Sequence, residues 1–120
     1  MTLKELYLSG KHSLEEAGID NPAFDAAAVL NHCLGYSRHD TIINGDIPIS
    51  CEQETEYLNT IGSRASGEPL QYITGVQYFM DIPFLVGEGV LIPRDDTEIV
   101  VSLGIDYLKN EANPTVVDLC

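Results

Sequence analysis

A chain of 120 residues is long enough for one domain with a sizeable core and too short for two complete domains. Its 44% hydrophobic and 21% charged content is that of an ordinary soluble protein, and no apolar run approaches the roughly 18 residues of a membrane span. Six basic against nineteen acidic residues give a formal charge of −13, a sign that repels phosphate backbones and argues against direct DNA or RNA binding.

The acid excess is spread along the chain. Residues 1–66 hold four basic and ten acidic side chains, and residues 67–120 hold two and nine, so no tail accounts for it. Two readings stand: a solvated acidic surface, or an acidic face for a basic protein partner. The opening stretch MTLKELYLSG lacks the unbroken apolar segment and small-residue cleavage site of a secretion signal. Cys33, Cys51 and Cys120 are odd in number and far apart, with no histidine at ligand spacing, which indicates neither a disulfide frame nor a metal site. A cytoplasmic location is the expectation.

The predicted elements begin with helices. Thr2-Leu3-Lys4-Glu5 has capping-box form, and Leu3, Leu6, Tyr7, Leu14 and Ala17 follow a helical stripe that Gly18 ends, with Gly10 loosening its middle. Asn21-Pro22 reads as a cap with proline at the first helical position, and Ala23, Ala27, Leu30 and Leu34 mark a buried face before Gly35. A short helical segment is predicted after Ser37, closed by Asn44-Gly45-Asp46 and Pro48. Ser50-Cys51-Glu52-Gln53 is a further capping box, with Tyr57, Leu58, Ile61 and Ala65 inward.

The character changes at Gly67-Glu68-Pro69. From Leu70 to Ile92 the chain is rich in β-branched and aromatic residues, and Gln71–Thr74, Val76–Met80 and Ile82–Val86 predict a β-hairpin turning near Asp81, with Pro83 on an edge and Gly87-Glu88-Gly89 as a second turn. Tyr72, Tyr78, Phe79 and Phe84 are expected to fill a core, with a partner-facing surface as the alternative. Asp95-Asp96-Thr97-Glu98 opens a last helix carrying Ile99, Val100, Leu103 and Tyr107 inward. Thr115–Cys120 then reads as a buried strand with Asp118 near its end, the first strand of a doubly wound sheet whose glycine-rich turn would follow, so the parent chain is expected to continue past Cys120.

Three segments together carry a resemblance: Gly67-Glu68-Pro69-Leu70-Gln71-Tyr72-Ile73-Thr74-Gly75, the stretch Phe79 to Phe84, and Val90-Leu91-Ile92-Pro93-Arg94-Asp95-Asp96-Thr97-Glu98. In order and spacing they resemble the protein-(glutamine-N5) methyltransferases that modify peptide chain release factors, and the terminal Val-Val-Asp-Leu resembles the strand leading into that family's S-adenosylmethionine loop. The resemblance implies a mainly α fold: an N-terminal helical bundle for substrate recognition (1–66), a β-hairpin connector (67–92), and the first helix and strand of a class I, Rossmann-like methyltransferase domain (93–120).

It also implies that the parent transfers a methyl group from S-adenosylmethionine to the side-chain amide of the glutamine in a release factor's Gly-Gly-Gln loop. The release factor is then the partner, with no direct nucleic acid and no membrane. By the same resemblance Arg94, Thr97 and Asp118 are expected on the cofactor side and Glu98 on the substrate side. The bland alternative for this segment is structural, with Asp95 and Glu98 capping the last helix and Arg94 paired to a carboxylate. The family's catalytic Asn-Pro-Pro-Tyr motif is not in this sequence: Asn21-Pro22 is followed by Ala23 and Asn113-Pro114 by Thr115. The 120 residues alone are therefore expected to be inactive, with no catalytic residue among them. Two other readings remain: the N-terminal region of a nucleic-acid amino-methyltransferase, which the charge opposes, and a stand-alone helical interaction module.

Overall fold

The computed structural model describes residues 1–119. Six helices and one hairpin follow in the order α1 (Leu3–Glu16), α2 (Pro22–Leu34), α3 (Arg38–Ile43), α4 (Cys51–Ala65), α5 (Leu70–Thr74), β1 (Val76–Phe79), β2 (Ile82–Leu85) and α6 (Asp95–Leu108). The capping chemistry works as the sequence implies. Thr2 Oγ1 accepts from the Glu5 amide while the Glu5 carboxylate accepts from the Thr2 amide, and Ser50 and Gln53 repeat the exchange at α4. A third box, Ser37 with Asp40, starts α3. Asn21 and Pro22 open α2, and Gly35 closes it in the left-handed conformation that a Cβ would penalise.

The core lies between α1, α2 and α4. Leu3, Leu6, Leu14, Val29, Leu30, Tyr57 and Ile61 are its largest fully buried side chains. Burying aliphatic and aromatic side chains of this kind stabilises by about 1.5–3 kcal/mol each before the entropy of ordering is charged against it. On α1 the stripe falls as predicted except that Gly10 is buried and Ala17 is exposed. Gly10 is no loose point. An added Cβ there would lie 2.2 Å from Tyr57 Oη, so the missing side chain is what lets α4 approach α1. The Tyr57 hydroxyl passes this gap and donates to the Ala26 carbonyl at 3.2 Å, and burial pushes its phenol pKa up.

The buried face of α2 is rotated from the predicted one, to Asp25, Ala26, Val29 and Leu30. Alanine-rich turns define no sharp stripe, and the face is settled by a partner from another helix: Arg64 Nε of α4 donates to Asp25 Oδ2 at 2.8 Å. Arg64 Nη1 also donates to the Glu68 carbonyl at 3.2 Å, tying the end of α4 and the chain beyond it to α2. Leu70 then enters the core, so Gln71–Thr74 form a short helix on the bundle rather than the strand their side chains predict. Leu70 burial outweighs the weak β preference of the residues after it.

Strands β1 and β2 pair antiparallel with Phe79 opposite Ile82 and Val76 opposite Leu85, placing the turn near Asp81 as predicted. The Val86 amide donates to the Gly75 carbonyl, so hydrogen-bonded pairs alternate inward from there and Pro83, opposite Tyr78, takes a position where no ladder donor is needed. Among the described residues no second sheet covers this ribbon. Tyr78 and Phe84 are exposed rather than core, although Phe79 and Phe84 stack edge to face at 6.1 Å.

Helix α6 likewise buries none of its residues, and Ile99, Val100, Leu103 and Tyr107 face solvent instead of inward. The predicted terminal strand is also corrected. Residues 113–119 form no strand, and Val116, Val117 and Leu119 are exposed, because a strand needs a paired neighbour and among the described residues no other strand lies alongside. Cys120 lies outside the described residues. The outcome is an elongated molecule of 59 × 30 × 22 Å, whose radius of gyration of 18.6 Å exceeds the roughly 14 Å of a compact chain of this length. No helix among the described residues is long and apolar enough to cross a membrane.

Candidate functional site

Three of the predicted site residues, Arg94, Thr97 and Glu98, lie at the start of α6, where the hairpin tip touches its first turns. Arg94 is the extended N-cap residue of α6, with φ −104° and ψ 150°, and the Thr97 amide donates back to its carbonyl at 3.1 Å. The Arg94 side chain makes no cap bond, and among the described residues it has no carboxylate partner, so the pairing offered as its structural role is not formed. Asp95, Asp96 and Glu98 occupy the first turn, where the helix dipole favours their charge.

Glu98 differs from its neighbours. It is half-buried, and Oε1 accepts the Met80 amide at 2.7 Å. Met80 and Asp81 form the two-residue loop of the hairpin with φ of +52° and +61°, the left-handed pair a type I′ turn demands and asparagine or glycine normally supplies. A further bond secures the ribbon, from Gln77 Nε2 to the Pro93 carbonyl at 3.2 Å, and the Tyr72 hydroxyl of α5 donates to the Val90 carbonyl of the loop after β2 at 2.7 Å. Beside the tip, Met80, Asp95, Glu98, Ile99, Ser102, Leu103 and Asp106 line an open groove of about 530 Å³.

One helical turn thus gathers Arg94, Thr97 and Glu98. Asp118 is not brought to them by any shared element; it lies in the irregular, exposed stretch after α6. Arg94 and Thr97 are also exposed, and neither they nor Asp118 lines the groove. These side chains make a ledge rather than an enclosure, and a nucleoside-sized ligand requires most of its surface covered. They do not by themselves fit a bound S-adenosylmethionine. Met80 and Gln77, the ties between the hairpin and the residues that begin α6, were not singled out by the sequence pattern, and Tyr72 of α5 was expected only as a core or partner-facing aromatic. Only the Met-Asp pair at a hairpin turn, without asparagine or glycine, could have signalled that an outside group holds it.

His12 pairs with Glu16 at 3.2 Å on the exposed face of α1. Burial raises the Cys33 thiol pKa, against a bond to Thr60 at 3.5 Å, and Cys51 is exposed. Among the described residues no group of three histidine, cysteine or acidic side chains could hold a metal ion.

Comparison with known proteins assigns the framework. The profile described as the PrmC N-terminal domain matches residues 5–75, from the first turn of α1 to Gly75, the left-handed cap that ends α5. The chain belongs to the PrmC N-terminal domain family. The match therefore takes in the five helices of the bundle and stops where the hairpin begins. Sequence relatives of this PrmC-type chain extend further. It is 35% identical over 120 residues to a release factor glutamine methyltransferase of Clostridium botulinum, covering 100% of this chain and 42% of that protein. The protein of the same description from Burkholderia pseudomallei is 38% identical over 97 residues, 81% of this chain and 34% of its own length. That of Bifidobacterium longum is 36% identical over 125 aligned positions, 100% of this chain and 42% of its own. The chain spans about two-fifths of the length of the relatives that it matches end to end.

Proposed function

We propose that this chain is the N-terminal, substrate-recognising part of an S-adenosylmethionine-dependent methyltransferase that N-methylates the glutamine of the Gly-Gly-Gln motif in peptide chain release factors. The observation that carries the reading is the full-length alignment to proteins named release factor glutamine methyltransferases, running through the bundle, the hairpin and α6 alike. In this reading residues 1–66 recognise the substrate, residues 67–92 connect, and residues 93–120 begin the methyltransferase domain, in a cytoplasmic protein.

When bound, the cofactor supplies an electrophilic methyl group. What this chain contributes is placement. Arg94, Thr97 and Asp118 are the cofactor-side candidates, and Glu98, with Oε1 engaged by Met80, keeps Oε2 as an acceptor toward substrate. They would act with protein surfaces that complete the ledge, for which the uncovered apolar face of α6 is suited. The charge of −13 favours a basic, RNA-associated partner such as a release factor.

Titration of the 120-residue chain with the Gly-Gly-Gln-bearing domain of a release factor, by calorimetry at low ionic strength, tests the recognition role. Association that weakens as salt shortens the screening length is the expected result. Absence of association at low salt overturns it.

A further inference from the structure

We infer that Glu98 is a positioning residue: its carboxylate holds the left-handed Met80-Asp81 turn of the hairpin against the first turns of α6, and so sets where the hairpin stands relative to the helix that begins at Arg94. The inference does not depend on the methyltransferase reading, because every group it uses belongs to this chain.

The hairpin has little else to define it. Two strands alone are marginal in water. All four residues of β2 are exposed, and among the described residues no second sheet packs over the ribbon. Its turn is built from Met80 and Asp81, both at positive φ, and methionine has no side-chain amide or missing Cβ to ease that conformation. A type I′ turn of this composition needs an external partner.

Glu98 is that partner. The Met80 amide, the donor at the first left-handed residue, points to Glu98 Oε1 at 2.7 Å, within the range of charge-assisted bonds. Ser102, one turn further along α6, places its hydroxyl 3.8 Å from the Met80 sulfur, so backbone and side chain of the same residue meet one face of the helix. Asp95 and Asp96 serve the helix end equally well from exposed positions. Capping alone therefore does not explain why Glu98 is half-buried and turned to the hairpin. Gln77 ties β1 to the Pro93 carbonyl further down the ribbon, and the bond from Glu98 acts at the tip.

The test is amide hydrogen exchange, followed by NMR, in the whole 120-residue chain and three variants. Glu98→Ala is expected to lower protection of Met80 and of the β1–β2 ladder amides about tenfold, the fold-change of one charge-assisted bond at the lower end of its range, while amides of α1 and α4 keep theirs. Glu98→Gln, which retains an acceptor oxygen, restores most of the loss. Combining Glu98→Ala with Met80→Asn and Asp81→Gly, which supplies the residues a type I′ turn prefers, restores ladder protection without the carboxylate. Should Glu98→Ala unfold the chain, the Met80 amide resonance decides between outcomes: a shift to lower frequency in Glu98→Gln supports the bond. Unchanged Met80 resonance in Glu98→Gln, unchanged ladder protection in Glu98→Ala, or failure of the turn replacement to rescue, overturns the assignment.

Discussion

Replacing Gly10 by alanine puts a methyl group where the Tyr57 phenol already is. The added carbon would stand 2.2 Å from the hydroxyl oxygen, 2.7 Å from Cζ and 2.8 Å from Cε1, all inside contact distance, and the obstructing ring is fully buried. In an open helix the change would gain about 1 kcal/mol of propensity. Here the ring must move, with an overpacking cost of about 1–3 kcal/mol. Movement also breaks the Tyr57 bond to the Ala26 carbonyl, a further loss of about 1 kcal/mol. The net expectation is a destabilisation of about 1–3 kcal/mol, or a melting point lower by roughly 4–8 °C per kcal/mol for a cooperative unit near this size. Gly62, an exposed position of α4 with no atom within 4 Å of where an added methyl group would stand, is the control, and Gly62→Ala should stabilise by about 0.5–1 kcal/mol. Urea unfolding followed by circular dichroism measures both. A Gly10→Ala protein as stable as the parent would refute the close-approach argument, the more so if Gly62→Ala behaves as expected.

Arg64→Ala removes the partner of Asp25, whose side chain is 9% exposed, and should cost about 2–4 kcal/mol by urea denaturation; Asp25→Asn in the same background should recover part of it. The carboxyls of Glu5 and Asp40 are held below their ordinary values of 4.5 and 3.8, each first by the backbone amide and then by the hydroxyl of its capping partner, Thr2 and Ser37. A lowered folded pKa stabilises above the ordinary value and is lost as pH falls through the folded one, so the urea midpoint should drop on acidification from about pH 5 toward 3, and less steeply in Glu5→Gln with Asp40→Asn. Ile99→Glu and Leu103→Glu on exposed α6 should leave stability within about 0.5 kcal/mol while reducing concentration-dependent self-association in sedimentation experiments. A loss well beyond that would mean α6 is packed in solution.

Local chemistry was legible in the residues themselves. The Thr2-Glu5 and Ser50-Gln53 boxes, the Asn21-Pro22 start, the Gly35 stop and the turn near Asp81 depend on contacts within a few positions, which order along the chain determines. So was the kinship of Ile92-Pro93-Arg94 with Thr97-Glu98, and Arg94, Thr97 and Glu98 do share one turn. Other features depended on groups far apart in sequence. Asp25 is buried because Arg64, thirty-nine positions later, reaches it, and Gly10 matters because Tyr57 crosses it. Gln71–Thr74 coil because Leu70 reaches the core, and Glu98 turns aside because Met80 offers its amide. Apolar patterning in α6 and residues 115–119 marked surfaces that prefer burial, and burial also requires a facing surface, which among the described residues those segments do not meet. Periodicity states what a face would bury; only the tertiary arrangement decides whether something is there to bury it.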